Sequence, residues 1–162
     1  GGVWMQFRSV TSKDRDALAK FITDRWGCDY LVSKMKIYHA QDFDAFICEE
    51  AGKIIACVTY YIEGGECEIV SLDSIRPGEG LGRQLMSMAE DAARAAGCTK
   101  VWLMTTNDNT YALRLFQRLG YSLCEVHLDE VKRYREIKPC IPLKGNDGIP
   151  IRDLFELEKE IR

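Results

Sequence analysis

Histidine is scarce in this sequence: only His39 and His127 occur, far from each other, and no two of the seven cysteines form a CxxC pair. Such spacing argues against a structural zinc site, so no metal is expected. No apolar run approaches the roughly 20 residues that a spanning helix needs, and no secretory leader is legible. The chain therefore reads as soluble and cytoplasmic, with no membrane partner. Dense basic blocks are missing too. The richest stretch, VKRYREIK at 131–138, also contains Glu136, and the net charge is −3, so nucleic acid is not an expected partner. The cysteines (Cys28, Cys48, Cys57, Cys67, Cys98, Cys124 and Cys140) are odd in number, widely spaced and partly inside apolar runs, and they read as buried free thiols of a reducing compartment.

What is present suffices for one core. At 162 residues and 46% hydrophobic composition the expectation is a single domain over 3–162, with Gly1 and Gly2 read as a tag remnant. WMQFRSV (4–10) alternates as a strand, and Thr11 or Ser12 caps a helix over about 13–26 with Leu18, Phe21, Ile22 and Trp26 on its inner face. The stretch from Gly27 to Asp44 has no steady period and is expected to be loop with one short helix. Three strands follow, 45–50, 53–62 and 67–73, joined by short glycine-bearing links that imply antiparallel hairpins. A helix over 81–96, a buried strand at 100–106, a helix at 109–120 and a strand at 121–128 then alternate. That order predicts an α/β fold: a mixed, mostly antiparallel sheet of about seven strands with a central parallel pair, flanked by helices. A short helix at 130–138, interruption at Pro139 and Pro142, and a last strand at 154–161 complete the expectation.

RPGEGLGRQLM (76–86) sets Gly78, Gly80 and Gly82 directly before a helix. Glycine lets the backbone approach a ligand closely, and the free N–H groups of a first helical turn attract anions. A dinucleotide GxGxxG fails here, because the third glycine position holds Arg83 or Leu85, and no Gly-Lys-Ser or Gly-Lys-Thr exists for a P-loop. A coenzyme A pyrophosphate cradle and a plain tight connection remain.

A second motif lies about thirty residues on: NTYALRLFQRLGY carries Asn109, Ala112, Phe116, Gly120 and Tyr121. Together the two stretches resemble the GNAT superfamily of acetyl-CoA-dependent N-acyltransferases, with matching element order over about 45–125, and the tail NDGIPIRDLFELEKEI resembles uncharacterised bacterial members. The resemblance implies acetyl transfer from acetyl-CoA to a primary amine of a small-molecule or peptide acceptor, by direct attack on the thioester. A homodimer is compatible with it. The pyrophosphate would rest on the backbone of Gly78, Glu79, Gly80, Leu81, Gly82 and Arg83. Leu72 and Ser74 would offer amides to the thioester carbonyl, and Asn109, Ala112 and Phe116 would line the coenzyme.

The resemblance has two departures. Pro77, with Arg76 before it, occupies the usual Gln/Arg position, and Phe116 replaces the tyrosine that would protonate the leaving thiolate. The thiolate is then expected to leave unassisted or take a proton from water, with Tyr111, off the Phe116 helix face, and Tyr121 as candidate substitutes; a non-catalytic acyl-CoA-binding or regulatory module is the rival reading. Glu68 is the candidate general base, expected by strand alternation to share an apolar face with Val70 and Leu72, with Glu66 and Asp73 as alternates. Asp29, Asp42 and Asp44 are acidic candidates on the acceptor side.

Overall fold

Strand β1 (Met5–Ser9) and helix α1 (Arg15–Trp26) form where alternation gives way to helical spacing, and Gly27 ends α1 in the left-handed region at φ 82°. The computed structural model of the chain describes residues 4–40 and 42–162, so the reading of Gly1 and Gly2 falls outside it. The segment expected to be irregular is instead a hairpin, β2 (Tyr30–Ser33) with β3 (Lys36–His39), turned by Lys34 and Met35 at positive φ. No glycine or asparagine marks that turn, and only four residues pair on each side. Periodicity has too little length there to register.

The main sheet contains β4 (Asp44–Glu50), β5 (Lys53–Glu63), β6 (Glu66–Ser74), β7 (Lys100–Thr106), β8 (Ser122–His127) and β9 (Leu154–Glu160) besides β1. Its order is β1-β4-β5-β6-β7-β9-β8, and β6–β7 is the single parallel pair among seven strands. A parallel neighbour needs a crossover, here helix α2 (Leu81–Ala95). Helices α3 (Thr110–Arg118) and α4 (Val131–Ile137) complete the fold.

The sheet is covered on both faces. Leu81, Leu85, Met86, Ala89 and Ala93 of α2 pack with Cys48, Val58, Cys67, Val101 and Leu157. Opposite them, Leu18, Phe21 and Ile22 of α1 pack with Leu31, Tyr38 and Ile47. Leu85 and Ile47 are completely buried, and removing such a side chain from water stabilises by about 1.5–3 kcal/mol each. Trp26, expected on the inner face of α1, is 40% exposed and reaches toward β6.

Two details position the site. Strands β6 and β7 pair only as far as Ile69 and Leu103, then separate. At the same level β6 carries an extra residue, Val70, between its pairings with Tyr60 and Thr59 of β5. A bulge reverses the alternation beyond it. Glu68 and Val70 therefore lie on the α1 face, whereas Leu72 packs toward α2, contrary to the shared face expected from alternation.

Candidate active site

Gly78 and Gly80 take φ 85° and 78°, conformations that ordinary side chains rarely adopt, and they turn the chain from β6 into α2. The first helical hydrogen bond runs from Gln84 N–H to the Gly80 carbonyl, 3.2 Å, so the N–H groups of Leu81, Gly82 and Arg83 have no partner within the helix. No side chain caps this end and no acidic residue stands in its first turn. The sequence thus leaves an uncompensated anion-attracting terminus.

That terminus opens on a groove of about 650 Å³. Leu72, Ser74, Gly78, Gly80, Leu81, Gly82, Arg83, Asn109, Ala112 and Phe116 all line it. Glu79 does not; its exposed side chain turns outward. Asn109 caps α3, its Oδ1 accepting from Ala112 N–H at 3.1 Å, and borders the groove as well. Arg76 lies on the rim, but its guanidinium forks onto the Glu50 carboxylate.

Ile75 N–H donates to the Ile55 carbonyl, 2.9 Å. Alternation along the β5–β6 ladder then turns the N–H groups of Leu72 and Ser74 away from β5, toward the gap where β7 has diverged. Two amides on one strand edge, without a neighbouring strand, can hold a carbonyl oxygen.

A second cavity of about 650 Å³ lies on the α1 face, between β2, α4 and the 140–151 segment. Glu68 forms part of its wall. The carboxylate is buried, accepts from Tyr38 Oη at 2.9 Å, and is pushed above the ordinary glutamate range by desolvation. Ser33, also on this wall, has a buried hydroxyl that makes no well-formed hydrogen bond but lies near Glu68 and offsets part of its desolvation. The two cavities meet at Arg25, Trp26, Asp108 and Asn146, which line both.

The alternates fare differently. Asp73 borders the groove; burial pushes its carboxyl up, partly offset by Trp26 Nε1, which donates to it at 2.7 Å. Glu66 lies 3.2 Å from Lys100 Nζ and lines neither large cavity. Asp29, Asp42 and Asp44 are exposed and line neither cavity, so the structure does not bring these acids to the site. Tyr111 is on the groove and 62% exposed, whereas Tyr121 is buried, with Oη donating to Glu90 at 3.1 Å. Of the two tyrosines, only Tyr111 borders the groove.

The sequence reading missed Trp26, Arg25, Asp108 and Asn146. Asp108 alone had a local signal, the polar run TTNDN after a buried strand, where α/β sheets gather ligands. It accepts from Thr106 Oγ1 at 2.6 Å and from Asn146 N–H and Nδ2, both at 3.1 Å. Asn146 can reach it because Gly145 has no side chain: a Cβ there would overlap the Asp108 carboxylate. Cys28 and Cys140 form a disulfide at the rim of the second cavity, correcting the expectation of free thiols throughout. Glu125, His127 and Glu156 also bring potential metal-ligand atoms within 4.8 Å of one another, a grouping that chain spacing did not suggest. No helix among the described residues is long and apolar enough to cross a membrane.

Comparison with known proteins agrees with this geometry. The family model described as "Acetyltransferase (GNAT) family" matches residues 15–121. The chain belongs to the GNAT acetyltransferase family. The uncharacterised proteins YdhI and YxbD of Bacillus subtilis are similar over most of their length: YdhI is 37% identical over 89% of this chain and 91% of its own, and YxbD is 36% identical over 91% and 94%. A Bacillus subtilis acetyltransferase solved in complex with CoA shares the fold, with TM-score 0.70, 16% identity and coverage of 99% of this chain and 100% of that one. The mixed sheet with its single parallel pair is thus a GNAT fold in both sequence and topology.

Proposed function

We propose that residues 3–162 act as one domain that transfers acetyl from acetyl-CoA to a primary amine. The observation that carries this reading is the meeting of two cavities at Arg25, Trp26, Asp108 and Asn146, one lined by the N-terminal turn of α2 with its unpartnered N–H groups and the other by buried Glu68. Acetyl-CoA supplies the acetyl thioester and a thiolate leaving group. The N–H groups of Leu81, Gly82 and Arg83 and the flexible backbone of Gly78 and Gly80 fit its pyrophosphate, and Asn109, Ala112 and Phe116 fit its pantetheine arm. Leu72 and Ser74 N–H groups orient the carbonyl oxygen and favour the charge that develops on it. Glu68 takes the proton of the acceptor's ammonium, a task for which its raised pKa is suited.

Phe116 cannot donate a proton, and Tyr121 is committed to Glu90. Tyr111 borders the groove but lies five residues before Phe116, off its helix face, so the thiolate leaves unaided or is protonated by water. This substitution also favours a second reading, a coenzyme-binding module without turnover. Thermal unfolding with acetyl-CoA, CoA, ATP and NAD, followed by thiol release with an amine panel, separates the two. Stabilisation by both coenzyme A forms with amine-dependent release supports transfer. Stabilisation without release across the panel supports the module, and no stabilisation rejects both.

A further inference from the structure

Lys138 follows the last turn of α4, its N–H donating to the Tyr134 carbonyl at 2.8 Å. The residue is only 6% exposed and borders the acceptor-side cavity. Among the described residues its ammonium has no hydrogen bond and no carboxylate within ion-pair distance, and it lies 5.5 Å from the centre of the Trp26 ring. Asp73 is the nearest anionic influence, yet that carboxylate already receives Trp26 Nε1 and lies 3.9 Å from Arg25 Nε. The side chain is thus largely enclosed while its ammonium keeps access to the cavity and lacks a paired counter-charge. The same cavity contains the Ser33 hydroxyl, which is buried close enough to Glu68 to favour its carboxylate but makes no well-formed hydrogen bond.

The charges lining this cavity are unequal in availability. Glu68 and Asp108 are its acids, and Asp108 already has Thr106 and Asn146 as donors. Arg25, Lys138 and Lys144 are its cations. The remaining wall is largely apolar, with Leu31, Val32, Met104, Ile141 and Ile151. One carboxylate, Glu68, with Tyr38 Oη on one of its oxygens, one lysine ammonium without an ion-pair partner, and an apolar wall between these two polar ends describe the complement of a small amphoteric molecule.

Resting on the acetyl-transfer reading, we propose that the acceptor carries a carboxylate as well as its primary amine, on an apolar frame, and that Lys138 binds the carboxylate while Glu68 and Ser33 receive the amine. Burial holds the Lys138 ammonium below its ordinary pKa, and an incoming carboxylate supplies the counter-charge it lacks. Polyamines and other dicationic amines are disfavoured, because their second ammonium would face Lys138, Arg25 and Lys144.

Matched pairs test the inference: leucine with isoamylamine, phenylalanine with phenethylamine and 6-aminohexanoate with pentylamine, plus spermidine as a dication. Two readouts are taken, thiol release from acetyl-CoA and ligand-induced thermal stabilisation with CoA present. At least one carboxylated member should exceed its decarboxylated partner about tenfold or more, equivalent to about 1.4 kcal/mol. Lys138→Met should bring that ratio toward one, and Lys138→Arg should retain a ratio above one. Each variant's unfolding midpoint is measured so that loss of structure is not mistaken for loss of recognition, and the wild-type ratio needs no variant. Equal or better results with the decarboxylated amines or spermidine, or a ratio unchanged in a folded Lys138→Met protein, overturn the inference. Selective binding of carboxylates without thiol release rejects acetyl transfer and keeps the Lys138 subsite. Release with uncharged-tail amines alone keeps acetyl transfer and rejects the subsite.

Discussion

Thr59 Oγ1 and Ser71 Oγ lie 2.6 Å apart, both buried, at the level where Val70 is inserted into β6. Each hydroxyl is the other's partner inside the sheet, so the pair secures the bulge that turns Glu68 to one face and Leu72 to the other. Ser71→Ala should leave Thr59 unsatisfied and cost about 1–3 kcal/mol in urea unfolding, whereas Thr59→Val combined with Ser71→Ala should recover most of that loss. A double variant as unstable as the sum of the singles would contradict this account.

The groove proposed for the coenzyme is tested at the turn. Gly80→Asp puts a side chain at φ 78° and a negative charge beside the free N–H groups. Calorimetry should register at least about a tenfold loss of coenzyme A affinity, or 1.4 kcal/mol. Unchanged affinity in a folded protein would remove the pyrophosphate from this turn.

Glu68 makes two pH predictions. As the base, it should give kcat/KM an acid limb centred above the ordinary glutamate value, and Glu68→Gln should abolish the limb and lower turnover about 100-fold. Its effect on stability runs the other way. A carboxyl raised in the folded state binds protons more tightly than when unfolded, so the stability it contributes is full below the unfolded pKa and is lost as pH rises through the folded one. Glu68→Gln should therefore gain stability relative to wild type on going from pH 4 to pH 7, measured by thermal unfolding at both.

Tyr121→Phe separates structure from chemistry. Glu90 is buried and receives Tyr121 Oη and Lys159 Nζ, the latter at 2.9 Å. Loss of the hydroxyl should cost about 1.5–3 kcal/mol of stability, as for a hydrogen bond to a charged group. Turnover should stay within about twofold; a larger drop would make this tyrosine the acid that Phe116 cannot be.

Thiol titration of the unfolded chain should find five thiols without reductant and seven with it, given five free cysteines and the Cys28–Cys140 bond. Because that bond joins the end of α1 to the segment after α4, reduction should weaken acceptor binding more than coenzyme binding. Seven thiols without reductant would mean that Cys28 and Cys140 are unbonded; the expectation that all the cysteines are buried fails in either case at Cys124, which is exposed.

Much of this was legible before any coordinates. Glycine spacing and a helical apolar period located the α2 turn, and ten of the eleven residues assigned to the coenzyme line one groove. Such signals are local, each carried within a few turns of chain. What stayed hidden depends on register and distant contact. A one-residue bulge at Val70 has no mark in the alternation of CEIVSLDS, yet it decides which face Leu72 occupies. Cys28 and Cys140 are separated by 112 residues, and nothing in either neighbourhood names the other. Lys138 reads from sequence as one of many surface cations; only the fold buries it.

Trp26 stands in the wall common to both cavities, with its Nε1 on Asp73 and Lys138 beside its ring. An indole so placed senses a change of polarity on either side. Trp4, 85% exposed on β1's flank, borders neither large cavity and contributes a steady background, while Trp102, beside Glu68 on β7 and under Lys34, adds a second signal from the acceptor side. The protein thus contains its own optical gauge, and the order in which two ligands arrive can be followed by intrinsic emission in a stopped-flow cell without attaching a dye.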